Sequence, residues 1–244
     1  MYRDVSDIRE FFKLFKLKEE YVTDKSGVKM LELRGVSFIA DEPAIFGEVN
    51  QDYVDRELTW YDSMSLNVYD MPGGPPAIWK QVADSEGFIN SNYGWCIWSG
   101  ENGNQYRNVL NELLRSPDSR RATMIYTRPE MWKDYNFDGR SDFMCTNAVQ
   151  YMIRNGKLEA VVQMRSNDIW AGYRNDYAWQ KHVLNILATD LTEAEGGTKV
   201  VPGNIYWNAG SLHCYEKDFY LIDHYQKTGE ITITKKQYNQ KYSC

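Results

Sequence analysis

Histidine and cysteine are scarce in this chain, and neither is spaced as metal ligands usually are. The 244 residues include 3 histidines and 4 cysteines, with no Cys-x-x-Cys pair and no paired histidine spacing. The cysteines also lack the density of a disulfide framework, which favours reduced thiols in a cytoplasmic protein. No glycine pair stands in a phosphate-loop pattern. We therefore expect no metal site.

Long apolar runs and an excess of positive charge are missing as well. No run approaches the ~18 apolar residues of a membrane span, and the first residues, MYRDVSDIREFF, lack the apolar core of a signal peptide. The net charge of −6 argues against a broad surface for phosphate backbones but leaves room for a small anion site. These absences predict a cytoplasmic protein without direct contact to membrane or nucleic acid.

The composition is that of a globular protein with a large core, at 43% hydrophobic and 25% charged residues. The length fits one large domain or two small ones. Apolar periodicity predicts helices over Asp7–Leu17 (capped by Ser6), Val49–Asp62, Asn104–Arg115 and from a cap at Asn175 to about Leu191. Extended segments are predicted at Met30–Leu33, Val36–Ala40, Ala122–Tyr126, Asn204–Tyr206, Phe219–Asp223 and Glu230–Thr234. The mixture predicts an α+β fold on a sizeable sheet.

The dipeptide Asn155-Gly156 lies between two runs rich in Val, Ile, Tyr and Met, and predicts a hairpin with a two-residue type I′ turn. The cross-strand pairs that follow from this turn are Arg154–Lys157, Thr146–Arg165 and Cys145–Ser166. Paired residues have Cβ atoms roughly 5 Å apart, so a thiol, a hydroxyl and a guanidinium would converge unless a bulge shifts the register.

Cysteine attacks as the thiolate, and a nearby cation lowers the thiol pKa. That chemistry makes Cys145 a candidate nucleophile beside Arg165, the alternative being a small buried apolar side chain. Phosphate ligands are a second possibility in this sequence, because guanidinium groups bind phosphate oxygens bidentately. The candidates are Lys25, Arg120, Arg121, Arg165 and Ser166; each basic residue taken alone is otherwise solvated surface.

Two carboxylates stand at unusual positions. Glu57 lies on the apolar stripe of the predicted helix Val49–Asp62, so it either reaches water at the edge of the stripe or is held in a site. Asp176 follows the predicted cap Asn175, where it either complements the helix dipole or faces a ligand over the open end of the hairpin.

Six segments of the chain carry a resemblance to known enzymes. They are Glu57–Tyr61 (ELTWY), Ile89–Trp95 (INSNYGW), Pro117–Met131 (PDSRRATMIYTRPEM), Asp142–Asn147 (DFMCTN), Met164–Gln180 (MRSNDIWAGYRNDYAWQ) and Trp207–Tyr215 (WNAGSLHCY). In this order, over nearly the whole chain, they resemble the thymidylate synthase family of pyrimidine nucleotide enzymes, and within it the phage deoxycytidylate (dCMP) hydroxymethylases. The resemblance implies one thymidylate-synthase-like domain over residues 1–244, with a large bent mixed sheet covered by helices, and a homodimer.

The resemblance also implies a reaction. Cys145 would add to C6 of dCMP, and C5 would take up the one-carbon unit of the cosubstrate 5,10-methylenetetrahydrofolate. Addition of water would then give 5-hydroxymethyl-dCMP and tetrahydrofolate. Glu57 corresponds to the acid that handles protons and ordered water, a role that burial suits because it favours the protonated carboxyl.

The remaining implied roles concern binding. The phosphate would be held by Lys25, Arg165 and Ser166 with Arg120 and Arg121 from the other subunit, the sugar hydroxyl by His213 and Tyr215, and folate by Trp79, Asp168 and Gly172.

Three departures from thymidylate synthase itself favour a hydroxymethylase for cytosine. Asp176 stands where the synthase has asparagine, and a carboxylate accepts from cytosine N4 and from a protonated N3. Thr146 stands where the synthase has histidine, and the chain ends in the polar tail Lys241–Cys244. A wetter site would favour addition of water. The alternatives are a dUMP hydroxymethylase, a thymidylate synthase, or a non-catalytic nucleotide- or RNA-binding relative.

Overall fold

The computed structural model describes residues 3–242. Its helices are α1 (Val5–Leu17), α2 (Gln51–Asp62), α3 (Ala77–Val82), α4 (Tyr93–Trp98), α5 (Gln105–Arg115), α6 (Met131–Asp134), α7 (Ala171–Glu193), α8 (Phe219–Thr228) and α9 (Lys235–Tyr242). Its strands are β1 (Tyr21–Thr23), β2 (Lys29–Ile39), β3 (Thr123–Ile125), β4 (Thr146–Arg154), β5 (Lys157–Asp168) and β6 (Val201–Tyr215). The predicted α+β class is confirmed.

The strands described within residues 3–242 form a six-stranded sheet in the order β1-β2-β6-β5-β4-β3. The pairs β1–β2, β2–β6 and β3–β4 are antiparallel. Strand β2 is continuous where the sequence predicts two short strands. Arg34 pairs with Ser211 and Val36 with Ala209 in one unbroken register, so the glycine between them does not end the strand.

Contacts divide the chain into two compact units. The first comprises Met1–Val49, Met164–Gln180 and Ile205–Cys244; the second comprises Asn50–Gln163 and Lys181–Asn204. A single domain over residues 1–244 stays a prediction.

In the first unit, an aromatic core lies between the sheet and its helices. The ring of Tyr173 packs 6.0 Å from Phe38 and 5.2 Å from Trp207, measured between centroids. Helix α1 begins two residues earlier than predicted, because its cap is Asp4 and not Ser6. The Asp4 side chain accepts the Asp7 amide and completes a capping box. Of the polar tail, Ser243 and Cys244 lie outside the described residues.

Three further predictions in this unit are wrong. Residues Phe219–Asp223 are not extended but begin helix α8, which ends at Gly229 in the left-handed conformation. Helix α7 begins at Ala171 rather than after a cap at Asn175, so Asp176 lies in its second turn and not its first. The predicted segment Glu230–Thr234 contains no strand.

In the second unit, the predicted hairpin turn is confirmed. Asn155 and Gly156 have φ angles of 52° and 73°, the two positive values that a type I′ turn requires. The pairing of Cys145 with Ser166 and of Thr146 with Arg165 stays a prediction. Helices α2 and α5 begin after Asn50 and Asn104, whose side chains accept backbone amides as caps.

Candidate active site

Glu57 is buried in helix α2 of the second unit, with only 5% of its surface exposed. Its Oε1 accepts hydrogen bonds from the Tyr53 hydroxyl at 2.6 Å and from Trp79 Nε1 at 3.1 Å. Tyr53 lies one turn before Glu57 on the same helix, while Trp79 is carried by α3. Of the two alternatives for this residue, the structure supports a carboxyl held in a site.

The environment of Glu57 favours its protonated form. Burial raises its pKa to about 6, and the hydrogen bonds from Tyr53 and Trp79 oppose that rise. A carboxyl with such a pKa carries a proton in part of its population near neutral pH. It can therefore donate or accept a proton at ordinary pH.

Cys145 lies at the end of a segment that is tied down within the second unit. Buried Asp142, three residues before it, accepts the amides of Asn90 and Ser91 at 2.6 and 2.9 Å and the Ser91 hydroxyl at 2.5 Å. Cys145 itself is half-buried and lies just before β4. This anchor fixes the approach of the chain to the thiol. Thr146, the next residue, is fully buried.

The two consecutive arginines of the second unit are exposed. Arg121 Nε donates to Glu112 Oε1 at 3.0 Å, and the Arg121 side chain is 77% exposed. The backbone carbonyl of Arg120 accepts from the Gln150 side chain at 2.6 Å. Both arginine residues are therefore at the surface of this chain.

In the first unit, Asp168 ends β5 and lies three residues before helix α7. Its Oδ1 accepts the amides of Trp170, Ala171 and Gly172 at 3.0, 2.7 and 3.3 Å, which satisfies donors at the helix start. A Cβ on Gly172 would lie 3.3 Å from Asp168 Cβ and 3.4 Å from Asn167 Nδ2. The side chain at position 172 is thus limited by its neighbours.

Asp176, one turn after Gly172 on α7, is oriented by Asn167. The Asn167 Nδ2 donates to Asp176 Oδ2 at 2.6 Å, and Asn167 is buried. Its Oδ1 is buried without a hydrogen-bond partner among the described residues. The pair places an amide and a carboxylate together, which is a donor and acceptor set suited to reading a polar ring edge.

His213 and Tyr215 lie on β6 of the first unit with their rings 4.9 Å apart. His213 is buried, and its carbonyl accepts the Ile169 amide at 2.9 Å. Burial lowers the pKa of His213, and the positive charge of Arg165 lowers it further. The negative charge of Asp168 raises this pKa but does not cancel the effect of burial. The ring is therefore neutral near pH 7 and can both donate and accept a hydrogen bond.

The first unit thus brings together Arg165, Ser166, Asp168, Gly172, Asp176, His213 and Tyr215 on β5, the start of α7 and β6. Lys25 is exposed in the β1–β2 turn of the same unit. The second unit holds Glu57, Trp79, Cys145, Arg120 and Arg121.

Three residues of these clusters escaped sequence reasoning. Tyr53 and Asn167 contact candidate residues directly, and Asp142 holds the segment that leads to Cys145 through its bonds to Asn90 and Ser91. For Tyr53 a signal existed, because residues four apart on a helix lie on one face. For Asp142, whose partners lie about fifty positions earlier, no local pattern could have shown the contact.

Two further searches cover the described part of the chain. Within residues 3–242, no three His, Cys, Asp or Glu side chains are grouped as a metal ion would require. None of the helices there combines the length and the apolar character needed to cross a bilayer.

Comparison with known proteins adds a family. The model of the thymidylate synthase family matches residues 47–240. The chain is 56% identical over 239 residues to a protein of Enterobacteria phage T4 named deoxycytidylate 5-hydroxymethyltransferase, which covers 98% of this chain and 97% of that protein. Proteins of the same name from phages T2 and T6 are each 56% identical over 238 residues, with the same coverage.

Proposed function

The chain belongs to the thymidylate synthase family, and we propose that it acts as a deoxycytidylate 5-hydroxymethyltransferase. The observation that carries this proposal is its 56% identity, over 98% of its length, to the phage T4 protein of that name. The substrates would be dCMP and 5,10-methylenetetrahydrofolate, and the products 5-hydroxymethyl-dCMP and tetrahydrofolate. The whole chain would work as a single catalytic domain.

Cys145 is the proposed nucleophile. Its thiolate forms a bond to C6 of the cytosine ring, and the electron pair of the C5–C6 double bond makes C5 nucleophilic. Loss of the C5 proton then expels the tetrahydrofolate nitrogen from the one-carbon unit on C5 and leaves an exocyclic methylene. Water adds to that methylene, and the returning electron pair re-forms the C5–C6 double bond as the thiolate leaves C6. The half-buried position of Cys145, after the segment anchored by Asp142, supports a thiol that a ligand can reach.

Asp176 is the proposed reader of the base. Its carboxylate accepts from cytosine N4 and from a protonated N3, and protonation at N3 makes C6 more electrophilic. The bond from Asn167 to Asp176 Oδ2 supports this role because it orients the carboxylate. An asparagine at this position would instead suit the N3–H and O4 of uracil.

Glu57 is the proposed proton donor and organiser of water. A buried carboxyl with a pKa of about 6 can deliver a proton and return to the acid form within one cycle. Water directed at the one-carbon unit would complete the hydroxymethyl group. The threonine at position 146, where the synthase has histidine, and the polar tail, of which Lys241 and Tyr242 are described, are the features that favour a site open to water.

The folate cosubstrate supplies the one-carbon unit when bound. The residues proposed to hold it are Trp79, Asp168 and Gly172. Half-buried Trp79, next to Ile78 with 59% of its surface exposed, offers an aromatic and apolar surface that fits a planar heterocycle. No metal takes part in this proposal.

The substrate phosphate would be held by Lys25, Arg165 and Ser166, and its sugar hydroxyl by His213 and Tyr215. Arg120 and Arg121 would reach the phosphate of the partner subunit in a homodimer. Their exposure supports that arrangement, as do the large apolar side chains that are exposed in the single chain at Ile125, Trp132 and Phe137. We place this activity in the cytoplasm of a host cell, since the named relatives are phage proteins.

Product analysis tests the proposal. The protein is incubated with methylenetetrahydrofolate and either dCMP or dUMP, and the product is identified by mass. We expect hydroxymethylated dCMP, without the absorbance rise that release of dihydrofolate would cause. Turnover of dUMP alone, or a methylated product, would contradict the proposal. Cys145→Ser is expected to abolish turnover without lowering the unfolding temperature. A non-catalytic relative would keep its biological activity after this substitution.

A further inference from the structure

Tyr53 occupies a position from which it controls only one oxygen of Glu57. The Asn50 side chain caps α2 by accepting the Tyr53 amide at 3.1 Å, which fixes the third residue of the helix. Four residues on, Glu57 lies on the same face. The Tyr53 hydroxyl therefore meets Glu57 Oε1 at 2.6 Å with little freedom to turn elsewhere.

Trp79 closes a triangle with the same two groups. Its Nε1 lies 3.1 Å from both the Tyr53 hydroxyl and Glu57 Oε1. The loop before α3 is fastened to α2 by Arg56, which donates to the carbonyls of Pro72 and Gly74 at 2.6 and 2.7 Å. The triangle is thus held from both of the elements that form it.

The direction of these bonds distinguishes the two carboxyl oxygens. Among the described residues, both hydrogen bonds that Glu57 accepts end on Oε1. A phenol hydroxyl that donates to Oε1, with an indole N–H beside it, disfavours a proton on that oxygen. The proton of neutral Glu57 is then carried by Oε2.

We infer that Tyr53 is a positioning residue for Glu57. The Tyr53 hydroxyl keeps Glu57 Oε1 as a hydrogen-bond acceptor, so the exchangeable proton of Glu57 is carried by Oε2. The inference rests on the proposed role of Glu57 as proton donor. Its consequence is that Tyr53, without touching the reacting atoms, sets the orientation of the acid and the pH at which it titrates. A hydrogen bond that favours the carboxylate keeps this pH from rising as far as burial alone would take it.

Tyr53→Phe removes the hydroxyl and keeps the ring. Infrared difference spectra, with Glu57→Gln as the reference that identifies the Glu57 carboxyl band, give the midpoint of its titration without any substrate. We expect the midpoint to rise by about one pH unit, since the Tyr53 hydrogen bond favours the charged form of Glu57 while Trp79 retains its own bond. The pH profile of kcat/KM for dCMP should move by the same amount, with little change in KM. An unchanged midpoint would overturn the inference.

Tyr69→Phe is the matched control. Tyr69 is 59% exposed, in the same unit, and its hydroxyl makes no hydrogen bond within residues 3–242. Its substitution should leave both the midpoint and the pH profile in place. If Tyr69→Phe shifts the Glu57 midpoint as much as Tyr53→Phe does, the shift is a general effect of losing a tyrosine hydroxyl, and Tyr53 has no specific role.

A fluorinated tyrosine at position 53 gives the opposite displacement. Its more acidic phenol donates a stronger hydrogen bond, so the midpoint should fall, and this variant decides the matter even if Tyr53→Phe does not fold. Failure of wild-type protein to hydroxymethylate dCMP would refute the proposed function instead, while the infrared titration would still report on Tyr53.

Discussion

Asp176 is the residue at which the choice of base can be tested. Asp176→Asn replaces one carboxylate oxygen by an NH2 donor, and the remaining oxygen stays with the Asn167 amide that bonds it. The NH2 group then faces the base, where it suits uracil and leaves the cytosine N4 amino group without its partner. Buried polar groups left unpaired by the wrong base can impose large penalties, so we expect the ratio of kcat/KM for dCMP over dUMP to fall at least about a hundredfold.

Competition between the two nucleotides in one reaction measures this ratio directly. An unchanged preference would move the discriminator to another side chain, with Asn147 and Asn175 as the next to substitute. The unfolding temperature of the variant serves as the control for folding.

Glu57 should make stability depend on pH in a defined direction. Its folded pKa of about 6 lies above its ordinary value of 4.5, so the folded state binds the proton more tightly than the unfolded state. The stabilisation is complete below about pH 4.5 and is lost as the pH rises through about 6.

Glu57→Gln removes this dependence. Relative to wild type, the variant should gain about 2 kcal/mol in free energy of unfolding between pH 4 and pH 8, because each unit of pKa difference is worth about 1.4 kcal/mol. Urea unfolding at the two pH values measures it. Glu195 is exposed, so Glu195→Gln serves as the control. If the difference in free energy of unfolding between Glu57→Gln and wild type is the same at both pH values, the pKa assigned to Glu57 is wrong.

At the residue scale, the sequence pointed to candidate residues but not to the side chains that contact them. The odd position of Glu57 on an apolar stripe and the substitution at Asp176 were visible without coordinates. The contacts from Tyr53, Trp79 and Asn167 were not, because a stripe predicts burial but not hydrogen-bond partners.

Among the elements, the crossing of α2 and α4 depends on the absence of a side chain at Gly94. A Cβ there would lie 1.8 Å from the carbonyl oxygen of Tyr61, and backbone atoms cannot move aside as a side chain can. Gly94→Ala should therefore lower the free energy of unfolding by about 1–3 kcal/mol or more. Urea unfolding tests this.

Gly100→Ala provides the comparison, since nothing lies within 4 Å of a Cβ at that position. Equal stability of the two alanine variants would show that the α2–α4 crossing is not limited by position 94. Because α2 carries Glu57, the activity of Gly94→Ala should fall as well.

Predictability of the elements followed the strength of their local signals. The Asn155-Gly156 turn and the helices capped by Asn50 and Asn104 were placed within a residue or two, since turn and cap chemistry acts over a few residues. Helix α8 was mistaken for an extended segment because its start, FYLID, is a short apolar run that fits either state. The start of α7 was placed late because Asp168, its actual cap, stands three residues before the helix.

For the whole molecule, the proposed homodimer predicts complementation between inactive variants. Cys145→Ser lacks the nucleophile, and Arg120→Ala/Arg121→Ala lacks the phosphate ligands that are proposed to act in the partner. Mixed subunits should contain one intact site per heterodimer, so random exchange should restore roughly a quarter of the wild-type activity.

Mixing Cys145→Ser with Glu57→Gln is the negative control. Both residues are proposed to serve the site of their own subunit, so no heterodimer regains a complete set. Restoration in neither mixture, or a stable and active monomer in sedimentation, would contradict the donation of Arg120 and Arg121 between subunits.

The register of β2 with β6 also has a kinetic consequence. Met30 pairs with Tyr215 and Leu31 with Cys214, so strands from opposite ends of the chain must meet before the first unit is complete. Closing so long a loop is entropically costly and slow, whereas the Asn155-Gly156 hairpin can close within microseconds. During synthesis, β2 leaves the ribosome long before β6, which carries His213 and Tyr215 and is its partner strand. Until then, the edge of β2 that pairs with β6 has no partner strand, and unpaired strand edges favour aggregation during folding.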